Sequence, residues 1–232
     1  MVTAFTTRDR GAVAPRWHTA LLITLMLAVA IAGTLLGQHA PSAPAVTSPR
    51  TRIFGQYLPL LLVNWGLAAY CCRLFLERSA LPQLLGRRWR EGGFVLDLLL
   101  AVALGALIVA CESLAAHVSG AGRNAAASAI LPSTEAERLT WLFVAGSVGF
   151  CEELVYRGYL QIQLSAFSGS AAVGIVLQAV LFGIAHLEQG LAPACRAAGY
   201  GLALGVLARV RRSLLPGILC HVGIDLASSL FP

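Results

Sequence analysis

The chain has 232 residues, 57% of them hydrophobic and 12% charged, with a mean hydropathy of +0.74. A soluble globular domain carries about 25% charged residues, so this composition excludes one and points to an integral membrane protein. The net charge is +6 and every basic residue is Arg; these fall mainly between apolar stretches, which reads as a topology signal rather than a nucleic-acid patch.

A spanning helix needs about 20 mostly apolar residues. Seven stretches qualify, with the count open between six and eight, and the expected fold class is an all-α polytopic bundle. In chain order they are 19–37, 53–76, 93–118, 139–165, 171–188, 194–209 and 213–231. The first contains an apolar run from Ala20 to Gly37. That run is longer than the roughly 7–15 residues of a signal-peptide core, so a retained helix is expected. The third carries Asp97 and Glu112. The sixth carries Ala197, Gly201 and Gly205 at a spacing of four, which reads as a close-packing seam. Between the helices, 38–52 is rich in Pro, Ser and Ala and reads as a surface loop. Arg8, Arg10 and Arg16, then Arg78, Arg87, Arg88 and Arg90, then Arg209, Arg211 and Arg212 precede alternate spans. The positive-inside rule places all three groups, and so the N-terminus, in the cytoplasm. The absence of Lys suggests a bacterial host, and hence the bacterial inner membrane. The six Cys, at 71, 72, 111, 151, 195 and 220, have no C-x-x-C spacing and read as buried free thiols.

Three polar clusters interrupt the apolar C-terminal half. The first is CEELVYRG, residues 151–158, set between two uncharged stretches, 139–151 and 158–185. A charge in hydrocarbon costs several kcal/mol, so intramembrane ionisable groups are functional candidates by default. Glu153 and Arg157 lie on one helical face at i, i+4, and that pairing neutralises Glu153. Glu152 points about 100° away and is left without this partner. The second cluster is His186, with Phe182 one turn earlier. The third is His221 and Asp225, again at i, i+4, a spacing that suits metal ligands or an orienting pair.

Helical rise allows the depths to be compared. Glu152 and His186 lie roughly 22–28 Å from the turn near 165–170, on antiparallel neighbours. His221 lies roughly 14 Å from the Arg-rich loop before the last helix, with Asp225 one turn deeper. All four reach one level inside the bilayer, around a polar cavity. Carboxylates and histidines at one level suit amide hydrolysis. A glutamate can serve as general base on water, and histidines can bind zinc or donate to an oxyanion. There is no G-x-S-x-G motif, and Cys151 and Cys220 each point about 100° from the adjacent site residue.

In this order the clusters resemble the CPBP family of intramembrane proteases, which includes the endopeptidases of prenylated C-a-a-X proteins and proteins of bacteriocin processing and immunity. The family pattern is E-E-x-x-x-R, F-x-x-x-H and H-x-x-x-[N/D]. Here it is carried by Glu152, Glu153 and Arg157, by Phe182 and His186, and by His221 and Asp225, with Gly158 and Pro216 in the usual context. The resemblance implies that Glu152 and His186 activate water while His221 and residue 225 face the scissile carbonyl. It leaves open a zinc ion held by Glu152, His186, His221 and Asp225. C-a-a-X-type members commonly have Asn at 225; an ionised Asp cannot donate to an oxyanion, so Asp225 must be protonated, orient His221 or bind a metal. The expected division is 1–138, helices without a motif, and 139–232, a catalytic core. The expected substrate is a membrane-borne or lipid-anchored protein or peptide. Two other readings are a non-catalytic immunity or assembly partner and a transporter relaying protons through Asp97, Glu112 and Glu152.

Overall fold

The computed structural model describes residues 12–38, 48–77, 93–119 and 131–230. Arg8, Arg10, Arg78, Arg87, Arg88 and Arg90 lie outside them, as does most of the loop 38–52. The described residues form helices joined by turns, with no strand among them. Helix α1 is Arg16–Gln38, α2 is Leu58–Glu77 and α3 is Gly93–Ser119. A single turn, Pro49–Arg52, and a π-helical turn, Ile53–Tyr57, lead into α2. The motif-bearing half holds α4 (Glu135–Glu152), a π-helical segment (Glu153–Leu160) and α5 (Gln161–Ser168) in one unbroken run. It continues with α6 (Ala171–Ala185), α7 (Leu191–Arg211) and α8 (Leu215–Leu230). Each of the seven expected spans has a helix at its position.

Four of these runs are long and apolar enough to cross a membrane: 16–35, 93–115, 135–168 and 191–211. Ala171–Ala185 and the stretch 215–227 are shorter apolar helices. Their outward faces are large aliphatic and aromatic side chains, such as Leu99, Val102, Phe143 and Val176, as lipid contact requires. The protein is an all-α membrane helical bundle.

Local chemistry explains where the helices begin and end. Helix α4 starts four residues before the expected 139 because Thr134 closes a capping box with Glu137. Glu137 also accepts hydrogen bonds from the Ser133 backbone and hydroxyl, and faces Arg52 at 3.5 Å. Gly169, at φ +69°, ends α5 in the left-handed region that glycine enters freely, and the Ser170 hydroxyl caps α6. Helix α6 stops at Ala185, short of the expected 188, because His186 leaves helical geometry and a 3-10 turn follows.

The packing seam of α7 is present. Gly201 lies against Ala179 of α6, and a Cβ there would sit 2.9 Å from the Ala179 backbone. Two buried glutamines reinforce this seam: Gln178 donates to the Gly201 carbonyl at 2.8 Å and Gln161 to the Gly205 carbonyl at 3.0 Å. Side-chain amides bonding to backbone carbonyls across helices is the polar glue that lipid-embedded bundles use. The thiols depart from expectation in part: Cys71, Cys151 and Cys220 are buried, but Cys111 and Cys195 are exposed. Apolar sequence around a cysteine does not say whether it faces the core or the lipid.

Candidate active site

The three clusters come together where the π-helical segment, the end of α6 and the middle of α8 meet. The segment is unusually long for a structure mostly seen as single-turn bulges, often at functional sites. All eight of its residues are buried. Within it, Arg157 Nη1 donates to Glu153 Oε1 at 2.7 Å, with both side chains fully buried. The i, i+4 pairing expected from the sequence is present. The Arg157 guanidinium also covers the Phe182 ring, 4.4 Å from its centroid, a cation–π contact in a desolvated setting.

His221 departs from the local reading. Besides the electrostatic interaction with Asp225 on its own helix, it has partners on the neighbouring one. Nδ1 lies 3.1 Å from Glu153 Oε1 and Nε2 lies 3.5 Å from Glu152 Oε2. A carboxylate only accepts, so Nδ1 donates to Glu153 when that group is ionised. Asp225 lies within electrostatic reach of His221, Glu152 and His186. Its backbone carbonyl accepts from the Trp141 indole at 3.2 Å, which pins α8 to α4. Gly149 tightens the same contact, since a Cβ there would fall 2.8 Å from Val222. Gly217 leaves room for Glu153: a Cβ at 217 would be 2.7 Å from Glu153 Oε2.

His186 sits just past the end of α6. Its Nδ1 is 2.8 Å from the Phe182 carbonyl. A carbonyl cannot donate, so Nδ1 carries the proton and the neutral ring keeps its lone pair on Nε2. Phe182 is the hub of the site. Its ring lies tilted against His186 with centroids 4.7 Å apart, meets His221 edge-on at 5.9 Å and Tyr156 edge-on at 4.9 Å. The role of Tyr156 was not visible from the sequence; an aromatic beside Arg157 in an apolar run reads as core. Glu152 and His221 retain 17% and 13% side-chain exposure, against 0% for Glu153 and Arg157. The first two therefore face the open part of the site while the second two support it.

Zinc would need its ligands turned toward one point. Among the described residues no three His, Cys, Asp or Glu side chains are so arranged. His221 turns both ring nitrogens to glutamates. The four residues named as possible ligands converge, but as arranged they do not fit the ion.

A family model described as Rce1-like, type II CAAX prenyl endopeptidase, matches residues 134–227. That stretch begins at the cap of α4 and ends in α8, and takes in all three clusters. Residues 134–227 are thus similar to the CPBP family of intramembrane proteases. The match covers less than half of the chain, and α1 to α3 lie outside it. No curated protein and no solved structure matches the chain. This similarity supports a CAAX-type intramembrane endopeptidase in general terms, and with it a membrane-borne peptide or protein substrate.

Among the described residues, Asp97 and Glu112 are bonded to groups other than Glu152. Asp97 pairs with Arg211 at 2.6 Å, and Glu112 accepts from Arg196 at 2.8 Å and from the Tyr200 hydroxyl. Each acid on α3 is tied to its own partner on α7.

Proposed function

We propose that this protein is an intramembrane endopeptidase that hydrolyses a peptide bond of a membrane-borne or lipid-anchored protein or peptide, with Glu152 as general base. The observation that carries this reading is the convergence of Glu152, His186, His221 and Asp225 from three helices, with Glu152 and His221 on the accessible side. The core of the activity lies in 139–232. The N-terminus faces the cytoplasm, and a bacterial inner membrane is the setting that the Arg-only composition favours.

The chemistry follows from the atoms present. A water between Glu152 and His186 gives a proton to the Glu152 carboxylate while its oxygen attacks the scissile carbonyl carbon. His186 Nε2, with its lone pair free, accepts the water's other hydrogen and aligns it. The carbonyl π electrons move to oxygen, and the oxyanion is met by the Nε2–H of His221. Glu152 then passes its proton to the leaving amine as the C–N bond breaks. Glu153, held by Arg157, keeps His221 turned toward the carbonyl through Nδ1. Asp225, in the place of an amide, orients and balances the charge of His221 rather than donating to the oxyanion. No step runs through a metal, and cleavage is expected to persist in the presence of a zinc chelator.

The test compares protein termini in a host carrying the wild-type chain with one carrying Glu152→Gln at equal membrane levels. Gln preserves shape and hydrogen bonding and removes the base. A terminus present in the first host and absent from the second is the expected result, and it names the substrate. Identical termini, with the biological role intact, would instead make the chain a non-catalytic membrane partner.

A further inference from the structure

The π-helical segment and the start of α5 carry polar side chains on two sides, and the site uses only one. Glu153 and Arg157 face the site, while Tyr159 and Gln163 face the start of α1. Gln163 is fully buried and both ends of its amide are engaged. Its Oε1 accepts from the backbone N–H groups of Val13, at 2.5 Å, and Ala14, at 3.2 Å. Its Nε2 donates to the Ala14 carbonyl at 3.0 Å and to Thr19 Oγ1 at 2.8 Å. The Tyr159 hydroxyl lies 2.7 Å from His18 Nδ1 and 3.0 Å from Thr19 Oγ1. His18 in turn stacks on Tyr70 of α2 at 3.9 Å, and the Tyr70 hydroxyl donates to the His18 carbonyl at 3.2 Å.

Apolar packing alone would restrict a rotation less sharply, because dispersion is not directional. This contact is directional. A buried amide bonded at four points cannot turn without leaving polar atoms unpaired away from water, which is unfavourable. Tyr159 lies in the π-helical run, a form rare beyond a single turn, and Gln163 lies one turn further on, at the start of α5. Rotation at Tyr159 and Gln163 carries through to Glu153 and to Glu152 at the junction with α4, and Tyr156 transmits it to Phe182 and the two histidines. The clamp comes from residues 13–19, outside the 134–227 segment.

We infer that the N-terminal segment 13–19 sets the rotation of the π-helical segment through Gln163 and Tyr159, and thereby the placement of Glu152 and Glu153 against His221. Gln163 and Tyr159 are positioning residues. What the placement serves rests on the hydrolytic reading above; the placement itself does not.

The test uses the full chain in detergent micelles, labelled with 15N at histidine, and reads the ring nitrogens directly. His221 and His186 are assigned by His221→Ala and His186→Ala. Gln163→Leu is expected to move the His221 ring resonances as far as Glu153→Gln does, and to lower the abundance of any Glu152-dependent terminus about tenfold. Asp97→Asn, which loosens α3 from α7 instead, is the control and leaves His221 unmoved. Should Gln163→Leu fail to fold, Tyr159→Phe, which removes one oxygen, is held to the same criterion. An unmoved His221 in a folded clamp variant would overturn the inference, whatever the wild-type protein is found to cleave. Loss of every Glu152-dependent terminus from the wild-type comparison would overturn the hydrolytic reading and leave the ring resonances to decide the clamp.

Discussion

At the scale of single residues, the ion pair of Glu153 and Arg157 is the costliest feature of the site. Both side chains are fully buried, and Glu153 Oε2, Arg157 Nε and Arg157 Nη2 have no hydrogen-bond partner among the described residues. Breaking a buried pair from one side leaves a bare charge, with a penalty of about 3–5 kcal/mol. Arg157→Ala is therefore expected to lower the thermal midpoint of the detergent-solubilised protein sharply. The double change Glu153→Gln with Arg157→Met is expected to recover much of that loss but not the cleavage, because His221 loses its anchor. Equal midpoints for the two variants would show that the charge is reached by water. The pair itself could be read from its spacing of four. The contact of Glu153 with His221 could not, since it spans 68 positions and two helices. That contact adds partners for His221 beyond Asp225, which the same spacing rule suggests.

At the scale of elements, the active site depends on how near the helices approach. Gly217 lets α8 approach the π-helical segment, and a methyl group there would press on the Glu153 carboxylate at 2.7 Å. Gly217→Ala is expected to destabilise by about 1–3 kcal/mol, as overpacking does, and to reduce cleavage while the chain still inserts. A thermal midpoint and a terminus count on the same membranes check both outcomes. The seam of α6 and α7 offers a separate test. Gly205→Val would meet Gln178 and Gln161 and is expected to cost stability by a comparable amount. The helices as such were legible, because apolar length announces them. The π-helical segment was not. Its residues carry no compositional mark, and its hydrogen-bond register is chosen by what packs around it. The early start of α4 was legible in principle, since T-E-A-E is a capping box.

At the scale of the whole molecule, two ion pairs tie α3 to α7 near opposite ends of those helices. Asp97 is almost fully buried against Arg211, while Glu112 and Arg196 are about two-fifths exposed. Asp97→Asn is expected to lower the thermal midpoint and leave the termini produced by the protein unchanged, since its ion pair is with Arg211 of α7. Loss of cleavage in that variant would mean that α3 reaches the site after all.

The sequence by itself determined that this is a membrane bundle, because apolar composition and length leave a chain no other solvent. It also singled out the ionisable residues of the C-terminal half as candidates, because charges in hydrocarbon are costly. Only the tertiary structure decided how those residues are shared out. Contacts between helices depend on the rotation and approach of each one, and these are set by packing against neighbours far away in the chain. So His221 bonds to Glu153 and Glu152, Phe182 collects both histidines, and residues 13–19 reach Gln163 some 150 positions away.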